Sequence, residues 1–435
     1  MNYRILWILF LLVSVSVSAQ EVIPISQGEV LEKVSEQNLQ LRIAAAESTM
    51  AQGDYQQTNA VFLPNITASH TGITTTNPLM AFGSKLNQEV LTQADFNPAL
   101  LNDPDRIDNF ATRIEVQQPL VNMDGIFQRK AAKAKWNAAQ FQTQRTSQYL
   151  ELEVAKAYMQ LQLAYKNVSV LETTLKAAEE NLRLANNSYE QGYLQQSDVL
   201  AVEVRVNDVR NQLQYAESGV ANASDYLFLL MNEDSEGLLQ PSDSLTVAKT
   251  VEVVTTLSEN RADVQAMEEA TEAYRQKYTA DKMTFLPRLN AFGSYELYDD
   301  EIFQADANGY VVGASLSWDL FQGSKRFGAT KKSKAEWQKS QFELEQYKAK
   351  SNLELKKAKR MYQDAKNNLQ LAEKAVAQSK EALRIRKNRF EEGLEKTTDL
   401  LRAETQVSQK QLAYYQTVYQ HNYALAYLQF LTRTQ

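Results

Sequence analysis

Small and apolar residues recur at alternating spacings of three and four from Val154 through Ala157, Leu161, Ala164, Val168, Leu171, Leu175, Ala178 and Leu182 to Ala185. A period near 3.5 is the seam of a left-handed coiled coil. The same register returns 201 residues later through Leu355, Ala358, Tyr362, Ala365, Leu369, Ala372, Val376, Ser379 and Leu383. Neither Pro nor Gly interrupts 131–187 or 329–388, so the pattern predicts two helices of about 60 residues, each roughly 90 Å long at the usual rise. Their other faces are Glu, Lys, Gln and Asn, suited to water. Each ends near a glycine, Gly192 or Gly393, the residue that most readily takes the left-handed conformation closing a helix. Ser197 with Asp198, and Thr398 with Asp399, then read as caps of a shorter return helix. Further helices are expected over 26–62, opened by a Ser26–Glu29 capping box, and over 258–285. Stacked end to end with the return helices, they would run beside the long ones.

The period switches to two after each copy of a short phrase, "FLPNIT" at Phe62–Thr67 and "FLPRLN" at Phe285–Asn290. "VVGASLSWDL" (311–320) alternates most clearly: Val312, Ala314, Leu316, Trp318 and Leu320 point one way, Val311, Gly313, Ser315, Ser317 and Asp319 the other. "RIEVQ" (113–117), "ITASHTGITTT" (66–76) and "LNAFGSYELY" (289–298) follow with weaker alternation. These are four strands of about ten residues, the length a tilted strand needs to cross a bilayer. An open sheet edge cannot sit in lipid, and four strands cannot close a barrel. If the strands cross a membrane, several chains share one barrel. The competing reading is a soluble sheet covered by helices; against it, the helices commit their apolar seams to each other.

The chain is duplicated. Laying 152–206 over 353–407 puts Trp136 on Trp337, Gly192 on Gly393 and Asp198 on Asp399. The resulting organisation is a signal peptide (1–19), a first repeat (20–231), a polar linker (232–257) and a second repeat (258–435). About 22 extra residues of the first repeat fall in 77–108, which holds Pro78, Pro98 and Pro104 and reads as a long loop.

Composition narrows the function. Among 435 residues there is no cysteine and there are two histidines, His70 and His421. Thiolate chemistry is unavailable, a zinc, Ser-His-Asp or haem site would be hard to build from two distant histidines, and no phosphate-binding glycine loop occurs. An enzyme is not expected, and neither is a cofactor or a metal. The formal charge of −7 gives no reason to expect nucleic acid. At the N-terminus, Arg4, the apolar run Ile5–Val17 and Val17-Ser18-Ala19 have the form of a cleaved secretory signal. The alternative is a membrane anchor, for which the apolar run is short. Gln20 is not cysteine, so lipid attachment at the cut is not expected, and no later run of about 18 apolar residues follows.

The two FLP phrases, "QPLVNMDG" (118–125), "WDLFQGS" (318–324), "NPLMAFGSKLNQE" (77–89) and the turns Gly192/Asp198 and Gly393/Asp399 together resemble the TolC-type outer-membrane efflux proteins. The likeness spans essentially the whole mature chain; order, duplication and spacing carry it. The resemblance implies a mainly α protomer with a β membrane portion. It implies a homotrimer in the outer membrane of a Gram-negative bacterium, in contact with outer-membrane lipid. Three protomers would give four strands each to a 12-stranded barrel continued by an α-helical periplasmic tunnel. The function implied is a passive exit duct for efflux or type I secretion, working with a periplasmic adaptor and an inner-membrane pump of RND or ABC type.

Mapped onto this sequence, Phe62, Leu63, Pro64, Phe285, Leu286 and Pro287 mark the barrel–tunnel junction. Gly192, Tyr193, Leu194, Gly393 and Leu394 lie at the periplasmic tip as adaptor contacts. Asp399 falls where relatives place a constriction carboxylate, and one turn on, where some have a second, this chain has Arg402. A doubly acidic gate is therefore in question; Arg402 can instead pair with Asp399 or a neighbour's Asp198. Both aspartates are equally readable as helix caps alone. A periplasmic coiled-coil adaptor or scaffold is the alternative function, but it has no use for four membrane-length strands.

Overall fold

The computed structural model describes residues 22–235, 237–249 and 256–433, so the predicted signal peptide lies outside the described residues. The elements in order are β1 (Val22–Ile25), α1 (Gln27–Gln37), α2 (Leu39–Gln57), β2 (Asn65–Thr75), α3 (Pro78–Asn87), α4 (Pro98–Asn102), β3 (Ile107–Val121), α5 (Met123–Glu190), α6 (Gln196–Met231), β4 (Leu238–Pro241), α7 (Ala262–Met283), β5 (Arg288–Asp299), β6 (Ala307–Ser317), α8 (Lys325–Glu391) and α9 (Thr397–Thr432). The chain is mainly helical with a β portion, as expected. Both long helices extend past the length read from sequence, to 68 and 67 residues. No helix among the described residues is long and apolar enough to cross a membrane.

The chain forms two compact units: the described parts of Met1–Ala45, Gln142–Asp263 and Lys348–Gln435, and Ala46–Phe141 with Val264–Tyr347. Each takes residues from both predicted repeats.

In the first unit the α5 seam is the core. Val154, Ala157 and Leu161 are buried with Val30 and Val34 of α1 and Leu227 and Met231 of α6. The helix expected over 26–62 is broken in two at Asn38. Its buried amide donates to the Leu230 carbonyl (2.8 Å), and its Oδ1 accepts from the Gln40 and Leu41 amides (2.9 and 3.2 Å). One side chain thus caps α2 and fixes α1 against α6, which a continuous helix would not permit. Ser26 and Glu29 form the capping box read from sequence.

The linker contains a strand that sequence did not reveal. β4 pairs in parallel with β1, Val22 opposite Leu238. Tyr158 of α5 donates to the Ile25 carbonyl and Tyr165 to the Leu239 carbonyl, both at 3.1 Å. Asn422 of α9 then bonds the backbone of Thr246 and Ala248 (2.7 and 2.9 Å).

A buried ionic cluster ties four segments. Arg261 donates a pair of hydrogen bonds to Asp263 (2.7 and 2.6 Å) and reaches the Leu431 carbonyl and Ser351 Oγ. Arg145 lies 3.3 Å from the same carboxylate, with its guanidinium over the Phe430 ring. Arg261 is 1% exposed, so this charge is held by protein partners rather than by water.

The second unit is built on one antiparallel sheet of order β2-β3-β5-β6. β6 ends at Ser317, short of the expected Leu320, and Trp318–Leu320 lie beyond it. The excursion 77–108 is not the plain loop expected. Asn77 and Asn97 cap α3 and α4, each with Pro at its first position. Gln88 ties the excursion to the sheet through the Asp108 and Asp299 carbonyls (2.9 and 3.1 Å). The helices of this unit pair through repeated stacks, Tyr55 of α2 on Trp136 of α5 and Tyr278 of α7 on Trp337 of α8, at 5.7 and 5.9 Å.

Candidate functional site: the sheet, its junctions and the hairpin tips

The register assigns every strand residue to one of two faces. Ile66, Val116, Gly293 and Val312 stand in one cross-strand row, and Ala68, Ile114, Tyr295 and Tyr310 in the next row of the same face. This face is apolar and open, with Val312 77% and Leu316 68% exposed. The opposite face carries the rows Thr67–Glu115–Ser294 and Ser69–Arg113–Glu296. There Arg113 lies 3.2 Å from Glu296 and 3.5 Å from Glu115, Gln117 donates to Glu115 at 2.7 Å, and the Tyr298 hydroxyl donates to Glu296. One face suits lipid and the other suits water. The strands are 11 to 15 residues long. Among the described residues β2 and β6 each pair on one side alone.

Both FLP phrases sit immediately before a strand. Pro64 precedes β2 and Pro287 precedes β5; proline lacks the N–H a helix needs and drives the preceding residue toward extended backbone. The surroundings match in kind. The Phe62 carbonyl accepts from Gln118 Nε2 (2.9 Å), and the Phe285 carbonyl from Trp318 Nε1 (3.0 Å). A guanidinium lies over each ring, Arg129 over Phe62 at 5.8 Å and Arg326 over Phe285 at 5.1 Å. Leu63 and Leu286 are exposed.

At the far end of the long helices, Gly192 (φ 76°) and Gly393 (φ 73°) take the left-handed conformation. The Tyr193 and Leu394 amides each bond back across the helix end at 2.8 Å. Tyr193 is 79% and Leu394 65% exposed, while Leu194 packs with Ala185, Val199, Val202 and Leu401. The return helices begin one residue before the predicted caps, with Gln195 and Lys396 in the cap positions rather than Ser197 and Thr398. Asp198 still serves its helix: its carboxylate accepts from the Gln195 amide at 3.2 Å. Asp399 lies 3.6 Å from Arg402, whose side chain is mostly in water, so this pair is weak on its own. Sequence reasoning missed Glu395, which accepts from Arg386 at 2.7 Å and lies 3.1 Å from Arg389. It stands two residues after Gly393 in a run of alternating charge, which gives no hint that the hairpin brings it back onto its own long helix.

Glu404 was missed as well. Half-buried on α9, it accepts from Asn181 of α5 (2.6 Å). Burial pushes its carboxyl above the usual range, opposed by the Asn181 bond and by the Arg205 and Lys387 charges. Burial pushes the Arg205 guanidinium of α6 down in turn. Among the described residues no group of His, Asp and Glu could hold a metal.

Membrane-length strands with one apolar and one polar face, in a chain that is otherwise mainly long helices, have the make-up of a membrane β-protein with a helical extension. The chain belongs to the outer membrane efflux protein family, whose model matches residues 30–233 and 253–432. Membership places it in the outer membrane. The alkaline protease secretion protein AprF of Pseudomonas aeruginosa is 22% identical over 318 residues, 68% of this chain. The match spans 64% of AprF's own length. Crystal structures of CusC (TM-score 0.81, 16% identity, 94% of this chain and 92% of that one) and of the Campylobacter jejuni CmeC outer membrane channel (TM-score 0.81, 14% identity, 93% and 85%) share its fold.

Proposed function

We propose that three copies of this chain close one barrel, four strands from each making twelve, and continue as a periplasmic helical tunnel. The assembly is a passive exit duct for efflux or type I secretion. It docks through a periplasmic adaptor onto an inner-membrane pump of RND or ABC type that supplies the energy. The observation that carries this reading is the four-stranded sheet with an apolar face and two unshared edges. Such edges are untenable in hydrocarbon, and about eight strands are the fewest that close a membrane barrel. Identical chains pairing β6 of one with β2 of the next satisfy both constraints. A periplasmic scaffold without a barrel leaves that apolar face unexplained.

On this reading Phe62-Leu63-Pro64 and Phe285-Leu286-Pro287 form the junction where barrel becomes tunnel. The exposed Tyr193 and Leu394, with Gly192, Leu194 and Gly393, form the adaptor contact. Asp198, Asp399 and Arg402 ring the periplasmic gate, three copies of each, and the Asp399–Arg402 pair at 3.6 Å helps hold it shut. The test is the mass of the detergent-extracted protein by light scattering, corrected for bound detergent, followed by conductance in planar bilayers. A trimer that conducts, and conducts more as Asp399→Ala/Arg402→Ala, supports the duct and its gate. A monomer without conductance refutes the duct, and unchanged conductance in the double variant refutes the gate.

A further inference from the structure

The sheet of the second unit is electrically lopsided. The turns at one end carry Asp103, Asp105, Asp299, Asp300, Glu301 and Asp306. At the other end, where α5 and α8 leave the strands, bases dominate within three helical turns: Lys130 and Lys133 on α5, and Lys325, Lys331, Lys332 and Lys334 on α8. All six are exposed. Lys332 lies 3.8 Å from Glu336, and Lys130 rests on the Phe127 ring. Among the described residues, Lys133, Lys325, Lys331 and Lys334 have no carboxylate partner. The chain as a whole is acidic, so the collar runs against its composition.

It also runs against local helix physics. The first turns of α1, α5, α6, α7 and α9 each hold an acidic residue, as the positive end of a helix dipole favours. The first turns of α2, α3 and α4 hold none, but those helices open on Leu or Pro. The first turn of α8 also holds no acid, and it opens on two bases, Lys325 and Arg326. Arg326 is tied to the Thr284 carbonyl and lies over Phe285, a structural task that Lys325 does not share. Lys325, with no carboxylate partner among the described residues, stands where the helix dipole disfavours a positive charge, a position that an anion from outside the chain would relieve.

The geometry says which. Phe321 and Phe327 lie exposed just past the end of β6, the Phe327 ring 5.4 Å from that of Phe285. Lys331 and Lys334 follow Phe327 by four and seven residues on the same face of α8. Apolar rings followed at once by lysines, over roughly 15 Å of helix, match the order of hydrocarbon and headgroup met on leaving a bilayer. We infer that this basic collar binds the anionic phospholipid headgroups of the periplasmic leaflet, anchoring the duct at a fixed depth. The inference rests on the reading of the sheet as membrane-spanning.

The test uses the full mature chain in a Trp136→Phe/Trp337→Phe background, which leaves Trp318, exposed next to the collar, as the indole reporter. The protein is reconstituted in phosphatidylcholine bilayers containing brominated phosphatidylglycerol or brominated phosphatidylcholine, and Trp318 quenching by each gives their relative occupancy. The expected result is a several-fold preference for phosphatidylglycerol that falls with salt. Lys331→Glu/Lys334→Glu should abolish it, since each base near an anionic surface is worth about fivefold. Lys331→Arg/Lys334→Arg should retain it, and Lys356→Glu/Lys357→Glu, 25 residues along α8, should leave it intact. Equal quenching by both lipids overturns the inference, as does a preference untouched by the Lys331/Lys334 reversal. A reversal that shifts the channel's ion selectivity while leaving lipid preference unchanged places these lysines in the duct and overturns it too. Quenching by neither lipid would refute the membrane reading itself.

Discussion

Asp263→Ala should be among the most damaging substitutions outside the apolar core. The carboxylate answers two guanidinium groups, Arg261 through a pair of hydrogen bonds and Arg145 at 3.3 Å. Both arginines are buried. Removing the acid takes from both guanidiniums a carboxylate they share where water has little access, and breaking a buried pair in this way costs about 3–5 kcal/mol. For a cooperative unit of this size that is a fall in melting temperature of roughly 6–20 °C. The assay is thermal unfolding of the detergent-solubilised protein, followed by far-ultraviolet circular dichroism. A second arm replaces the pair together. Arg261→Met/Asp263→Leu removes one charge of each sign and leaves Arg145 its bond to Gln148 and its seat on Phe430. It should cost less than the sum of Arg261→Met and Asp263→Leu measured singly, and the cycle those two close returns a coupling of about 1–3 kcal/mol. A loss below about 1 kcal/mol for Asp263→Ala, or additive costs across the cycle, would refute the account of this cluster as mutually dependent charges.

Glu404→Gln should stabilise the tip region at neutral pH and change nothing in acid. Burial raises the Glu404 carboxyl above its ordinary value of 4.5, so its effect on stability is most favourable below that value and worsens as pH rises through the raised one; an unaltered pH–melting profile in the variant would contradict this. Gly393→Ala places a side chain at φ 73° and should cost about 1 kcal/mol, seen as faster amide exchange confined to the turn, whereas unchanged exchange would argue against the left-handed closure. Gly313→Ala puts a Cβ 2.7 Å from the Phe292 ring across the β5–β6 pair; it should lower the yield of folded protein, and Phe292→Leu in the same chain should restore it. Failure of that rescue would show the contact is not what limits folding.

Much of this was legible because periodicity is cheap to read where a face is buried. The α5 seam appears in sequence as it packs, with Val154, Ala157 and Leu161 all buried, because a heptad leaves no alternative face. In β6 the alternation was legible because its two faces meet different surroundings. What stayed hidden depends on contacts between distant segments. Nothing local marks Leu238–Pro241 as a strand, since its partner is Val22–Ile25, more than 200 residues away. Asn38 looks like an ordinary polar position in a helix until its amide meets Leu230. The caps shifted because Asp198 acts from inside the helix, reaching back to the Gln195 amide, and a side chain at either position fits the same sequence. At the tip, proximity on the chain suggested Asp399 with Arg402, while the hairpin gave the shorter contacts to Glu395.

The two FLP junctions bear on how such a chain can change. One carbonyl is held by Gln118 and the other by Trp318; one phenyl ring lies under Arg129, from the second turn of its helix, and the other under Arg326, from the first. The contact has been kept while the residue making it has moved. The halves have therefore ceased to be interchangeable parts. A gene fusing two copies of the first half would still encode two seams and four strands, yet it would pair each junction with a support fitted to only one of them. Divergence of this kind turns an ancestral symmetry into a ratchet, because each half now accumulates changes that the other cannot accept.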